Sequence, residues 1–279
     1  MRIIQVSDTH LSPGKRQFAG NWPPLAAWIA DQAPDLVIHT GDVTIDGADI
    51  EEDLRHAAAL MRSLGVRFRA VPGNHDVGDP GHPRQPVTTE RLGRWRAHFG
   101  PDRWFEDTEG VRLIGLNAML LGSGEAEEEV QAAWLDAVMD GADGRRTAWF
   151  LHRPLFIDSP DEPDTGYWSV KPQSRARLLE LARRHSVALI ASGHLHRAHE
   201  FRHDGCLYLW APASAFLVGP GMNAPPMPGE NRLGAVVYTI DAALLEAEIV
   251  HVPGLVPYLI DDVVDEVYPR PSVNGPARP

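Results

Sequence analysis

Five times along the N-terminal two-thirds of the chain, an apolar run rich in Val, Ile or Leu gives way to a residue that can bind a metal through oxygen or nitrogen. The blocks are Asp8 with His10, then Asp42, Asn74, His152, and His194 with His196. Four follow directly on a candidate strand. The fifth, Asn74, follows Val71 through the turn Pro72-Gly73, which lets the backbone come close to an ion. Alone, each block has an ordinary meaning: a surface turn for Asp8 and His10, a cap for Asp42, a turn asparagine, a hydrogen-bonded core histidine. Their order, with Gly41, Gly73 and Gly193 beside them, is what coincidence explains badly.

Between these blocks the hydrophobic period alternates between strand and helix, which reads as an α/β fold. Candidate strands cover 3–7, 36–40, 67–71, 111–117, 147–151, 187–191, 207–211 and 235–240, and candidate helices 24–32, 51–64, 89–99, 127–139 and 173–185. The helix from Glu51 has acidic residues in its first turn and ends before Gly65, as dipole and capping preferences require. Ligands at strand ends would gather at one rim of a sheet, where open α/β sheets place their sites. Two long stretches without a clear period, 153–172 and 213–233, are expected to wall the cleft. One body over 1–252 and a Pro-rich tail over 253–279 is the expected division. Residues 256–260 are read as able to pack onto the body or a partner, and the last ~10 residues as mobile.

Seven such ligands suit two divalent ions side by side, a pair fitted to attack of metal-bound hydroxide on phosphorus. Here the chain resembles the calcineurin-like metallophosphoesterases. The resemblance runs from Asp8-Thr9-His10 through Gly41-Asp42, Gly73-Asn74-His75-Asp76 and His152 to Gly193-His194-Leu195-His196. Its spacing is similar to the bacterial class III branch of cyclic-nucleotide and glycerophosphodiester phosphodiesterases. It implies a sandwich of two mixed sheets flanked by helices. It also implies that Asp42 bridges two transition ions (Mn, Fe or Zn). Asp8, His10 and His196 would complete the first ion's set, and Asn74, His152 and His194 the second's. An N/O donor set of this kind suits those metals.

Asp8 and His10 are two apart, so on an ideal strand both face one side. His75, beside Asn74, is assigned to catalysis as the general acid that protonates the leaving group. A carboxylate is expected to orient it. The family often carries an aspartate three residues after the bridging one, but this chain has Ile45 there. That leaves Asp46 or Asp76 for the role. A second departure is Arg153, where relatives often carry a histidine: it either pairs with a phosphate oxygen or forms a surface salt bridge. Trp168, in the first long stretch, is a candidate to line the cleft, and the remaining histidines, His39 and His199 among them, are read as ordinary.

Composition narrows the substrate. Lys and Arg total 26 against 38 acidic residues, a net charge of −12 that repels long nucleic acid but not a small diester drawn to two cations. The single cysteine, Cys206, permits no intrachain disulfide, and neither a leader nor a membrane-spanning run is apparent, so a cytoplasmic protein is expected. The expected activity is hydrolysis of small phosphodiesters, cyclic nucleotides or glycerophosphodiesters, with homo-oligomerisation left open. Phosphomonoester hydrolysis on the same site and a non-catalytic scaffold are the alternatives.

Overall fold

Val, Ile and Leu fill β1 (Arg2–Val6) and β2 (Leu36–His39), which are buried almost throughout, as parallel strands covered on both faces must be. The computed structural model describes residues 1–108 and 110–268. α1 (Trp22–Gln32), with prolines in its first turn, links β1 to β2. α2 (Glu51–Ser63), with three acidic residues in its first turn, links β2 to β3 (Phe68–Ala70). A single-turn helix, α3 (Asn74–Val77), and α4 (Thr89–Phe99) follow, the latter capped by the Thr88 side chain on Arg91 N. The second half adds β4 (Trp104–Thr108), β5 (Val111–Leu116), α5 (Ala126–Asp140), β6 (Arg146–Leu151), α6 (Pro172–Arg184) and β7 (Leu189–Ser192). The chain continues through β8 (His199–His203), β9 (Cys206–Trp210), β10 (Ala235–Ile240), β11 (Leu245–Val250) and the short α7 (Val264–Val267).

The strands form two mixed sheets, ordered β11-β10-β1-β2-β3 and β4-β5-β6-β7-β9-β8. β1, β2 and β3 run parallel, as do β5, β6, β7 and β9, while β4, β8, β10 and β11 are antiparallel additions. Alternation along each strand divides its side chains between two cores. Ile3, Leu36, Ile38, Val236 and Tyr238 of one sheet meet Leu113, Phe150, Leu189, Ala191 and Leu209 of the other. Residues of opposite parity, such as Ile4, Val37, Ile114 and Trp149, pack with the apolar faces of α1, α2, α5 and α6. Full burial contributes roughly 1.5–3 kcal/mol for each large side chain. Polar contacts also cross the sandwich: Gln5 donates to Ser192 O at 3.2 Å and Trp104 Nε1 to Ala70 O at 2.9 Å.

Every expected strand and helix occurs, with ends moved by at most two residues. β4, β8 and β11 were not anticipated. All three are sheet edges, and their alternating burial leaves polar side chains in solvent, so they lack the apolar run that marks a buried strand. The tail packs as far as it is described: Ile260 and Val267 are buried with Phe18, Ile45, Ala215 and Phe216. The expected mobile end lies beyond Tyr268, outside the described residues. Among the described residues no helix is long and apolar enough to cross a membrane.

Candidate metal centre

All five blocks leave the C-terminal ends of parallel strands: Asp8 after β1, Asp42 after β2, Asn74 after β3, His152 after β6 and His194 after β7. The first three come from one sheet and the last two from the other, so the centre straddles the rim of the sandwich. Asp8 and His10 do not converge through a strand pleat, because β1 ends at Val6. They turn inward because both are left-handed, with φ of 54° and 43°, and Asp42, His194 and His196 do the same at 51°, 69° and 53°. Such φ values are uncommon for residues with a Cβ and persist where the surroundings over-determine them. Hydrogen bonds supply that constraint: Asp8 N to Gly41 O, His10 N to Asp42 O, and His194 N to Asp8 Oδ2 at 3.1 Å.

Glycine makes the close approaches possible. Gly41 has φ of +89°, and a Cβ there would lie 2.6 Å from His152 Nδ1. At Gly73 a Cβ would lie 2.1 Å from Asp42 Oδ1, and at Gly193 1.9 Å from Ser7 Oγ.

The side chains meet in three overlapping groups: Asp8, His10 and His196; His10, Asp42 and His75; and Asp42, His152 and His194. Within each group the potential ligand atoms lie within 4.8 Å of one another. Asp42 belongs to two groups, its Oδ2 being 3.2 Å from His152 Nε2 and 4.0 Å from His10 Nε2. Asn74 turns its Oδ1 to within 3.2 Å of the same His152 Nε2. Asp8 Oδ1 and His10 Nε2 are buried with no hydrogen-bond partner among the described residues. Buried polar atoms without partners are costly, and a cation would satisfy both.

Each imidazole is oriented through its other nitrogen. His152 Nδ1 bonds Thr40 O at 2.7 Å, His194 Nε2 bonds Tyr167 O at 2.8 Å, and His196 Nδ1 bonds Phe216 O at 2.9 Å. A ring that donates to a carbonyl carries its proton there and turns a lone pair inward, the arrangement metal-ligating histidines adopt. Charge agrees. Burial disfavours the charged ring of His152, yet Asp42 and Asp8 outweigh it and raise its pKa to about 9. Asp8 likewise overcomes burial to raise His196, whereas burial drives His10 and His194 well below the usual value. The field therefore favours positive charge facing both carboxylates.

His75 differs from these imidazoles. Its side chain keeps 20% of its surface exposed, whereas that of His152 keeps none. Neither expected carboxylate orients it: Nδ1 bonds the carbonyl of Ile45 at 2.9 Å. Asp76 instead accepts from Gly73 N, Val43 N, Thr44 N and Thr44 Oγ1, tying the Asn74 turn to the Asp42 loop. Burial, helped by Asp42, raises its pKa to about 6. Asp46 pairs with Lys15. Arg153 is neither on the surface nor free for a phosphate, being buried in an ion pair with Asp79. Trp168 lies beside the centre, its ring 6.5 Å from that of His194, and packs with Leu195 and Trp210. His39 is buried beneath the site against Thr9 Oγ1, and His199, at the start of β8, stacks on Phe201 and lies tilted against Trp210 of β9.

Residues 1–198 match the family model for calcineurin-like phosphoesterases. The chain belongs to this family. It is 27% identical over 219 residues to Probable glycerophosphodiester phosphodiesterase GpdQ of Arcobacter nitrofigilis, covering 71% of this chain and 72% of that protein. It is 29% identical over 149 residues to Serine/threonine-protein phosphatase CPPED1 of Homo sapiens, covering 50% of this chain and less than half, 46%, of that one. Among solved structures, a dimetal phosphatase from Danio rerio aligns with a TM-score of 0.64 at 15% identity, over 89% of this chain and 95% of that chain. At that identity the likeness is one of fold.

Three residues around this phosphoesterase centre escaped the sequence reading. Tyr167 places its hydroxyl 3.2 Å from Asn74 Nδ2 and its ring 4.6 Å from that of His194. Phe216 packs its ring, tilted, against both His10 and His196, and Tyr268 reaches the centre from the tail. All lie in stretches without a helix or strand period, where sequence offers no register. The two long stretches themselves were the signal, since they bring Tyr167 and Phe216 to the site.

Proposed function

We propose that this chain hydrolyses small phosphodiesters at a centre of two transition ions, Mn, Fe or Zn, with His75 as the general acid. Asp8, His10, His196 and Asp42 would hold one ion, and Asp42, Asn74, His152 and His194 the other. When bound, such a pair supplies positive charge against phosphoryl oxygens and a coordinated water of lowered pKa. The observation that carries the reading is the single solvent-facing imidazole of the cluster. His75 holds its Nδ1 on Ile45 O, so Nε2, 4.0 Å from Asp42 Oδ2, is the nitrogen that can pass a proton to a departing alkoxide. Asn74 and the histidines on their carbonyl partners fix the ligand atoms before substrate arrives, and burial of the centre limits competing water.

A diester is favoured over a monoester because the cations nearest the centre are already engaged. Arg153 is paired with Asp79, and Lys15 with Asp46 and the carbonyl of Val267. A diester monoanion needs no further cationic clamp, whereas a monoester dianion does. The similarity to GpdQ supports the same class, and the similarity to CPPED1 supports the rival phosphatase reading. Turnover of bis(p-nitrophenyl) phosphate against p-nitrophenyl phosphate, with added Mn²⁺, separates them. The expected result is a higher kcat/KM for the diester, and the reverse preference would promote the phosphatase.

A further inference from the structure

The imidazoles of the centre are oriented by backbone carbonyls, with one exception. His10 Nδ1 lies 3.2 Å from the hydroxyl of Tyr268, a side chain at the far end of the described chain. The ring of Tyr268 also lies 4.8 Å from that of His75. Tyr268 stands 70 residues beyond the family-matched region, which ends at residue 198.

The segment that carries Tyr268 is fastened at several points. Leu217 N donates to Tyr258 O at 2.8 Å, and Ile260 N to Leu217 O at 3.1 Å. Asp261 sits in a pair of amides, accepting from Gly219 N at 2.9 Å and Gly221 N at 2.6 Å. Lys15, held by Asp46, reaches the carbonyl of Val267. Beneath these contacts Ile260 and Val267 share one apolar cluster with Ile45 and Phe216, and Tyr258 and Tyr268 pack against it. Ile45 and Phe216 are the residues whose carbonyls orient His75 and His196. The same cluster therefore backs three of the imidazoles of the centre.

We propose that the C-terminal segment 256–268 is an integral part of the metal centre, and that Tyr268 is the positioning residue for His10. The phenol oxygen accepts the His10 Nδ1 proton, which leaves Nε2, buried without a hydrogen-bond partner among the described residues, as the ligand nitrogen. This rests on the two-ion reading above. It adds that one of the two positions, the one formed with Asp8 and His196, depends on a residue outside the shared family region.

The test is metal uptake. Chelator-stripped wild type and Tyr268→Phe are brought to equilibrium with Mn²⁺, and bound metal is measured by elemental analysis. Wild type is expected to take up two equivalents. Tyr268→Phe keeps the ring on His75 but loses the hydroxyl, and is expected to fill one position normally and the other only at roughly 10–100-fold higher free Mn²⁺, the usual effect of removing a ligand's hydrogen-bond partner. Asp261→Ala, which unfastens the segment from Gly219 and Gly221, is expected to produce the same selective loss. Wild-type uptake at both positions by Tyr268→Phe overturns the proposal, and so does an equal loss at both, which would indicate general loosening. Turnover does not enter the readout, so failure of the phosphodiesterase reading would show separately, as two bound ions without hydrolysis.

Discussion

Nδ1 of His75 lies 2.9 Å from the carbonyl oxygen of Ile45, and this fixes which of its nitrogens can do chemistry. The ring is held by backbone on one side and is open on the other, as suits a proton donor more than a buried ligand. Asp42 is the contrast, with Oδ2 between His10, His75 and His152. His75→Asn is expected to retain both metals while slowing turnover by about 10²–10⁴, the usual worth of a positioned general acid. The loss should shrink for a p-nitrophenol leaving group, which departs without a proton. Asp42→Asn is expected to lose metal and activity together. If the two variants lose metal alike, the separation of acid from ligand is wrong.

Gly73 and Gly93 predict opposite outcomes for one substitution. A Cβ at Gly73 would lie 2.1 Å from Asp42 Oδ1 and 2.3 Å from Asp42 N, so the bridging candidate or its backbone must move. At Gly93, exposed in α4, a Cβ meets nothing within 4 Å. Gly73→Ala is expected to destabilise by about 1–3 kcal/mol and to lower metal uptake. Gly93→Ala is expected to stabilise by about 0.5–1 kcal/mol through helix propensity alone. Urea melts with elemental analysis read both, and a Gly73→Ala protein with wild-type metal content would refute the close-packing argument.

The strands that carry the centre were legible because burial on both faces forces runs such as Leu36-Val37-Ile38, and a ligand after such a run has one rim to occupy. β4, β8 and β11 were not legible, because edge strands keep polar side chains such as Glu200, Glu246 and Glu248. The orienting partners were hidden for a different reason. Thr40, Ile45, Tyr167 and Phe216 act through backbone carbonyls, which carry no signature in residue type. The left-handed turns at Asp8 and Asp42 were equally invisible, since pattern gives spacing and not φ.

Arg153 tests whether a cation next to the centre serves substrate or structure. Its guanidinium is buried, pairs with Asp79 and lies 5.7 Å from the ring centroid of Tyr167. Removing one partner of a buried pair strands the other, at a cost of about 3 kcal/mol, the low end of the range because Asp79 is partly solvated. Arg153→Ala is therefore expected to lower stability and loosen the Tyr167 segment. A variant with unchanged melting behaviour but a large rise in KM would instead mean that Arg153 leaves Asp79 to bind the phosphate.

Metal removal is expected to cost the fold stability as well as activity. Asp8, Asp42 and the facing histidines are buried, with Asp8 Oδ1 and His10 Nε2 lacking hydrogen-bond partners among the described residues. A ligand that binds only the folded chain adds about 2.7 kcal/mol per site at a hundred times its Kd. For two sites in a chain of this size, that corresponds to a rise in Tm on the order of 10 °C. Chelation should reverse the rise, and Asp42→Asn should abolish most of it, because Asp42 is common to two of the three groups. Tyr268→Phe should keep roughly half, from the position that His10 does not serve. A Tm unmoved by saturating Mn²⁺ in the wild-type chain would mean that these buried carboxylates and imidazoles satisfy one another, and that the centre is a polar core without a metal.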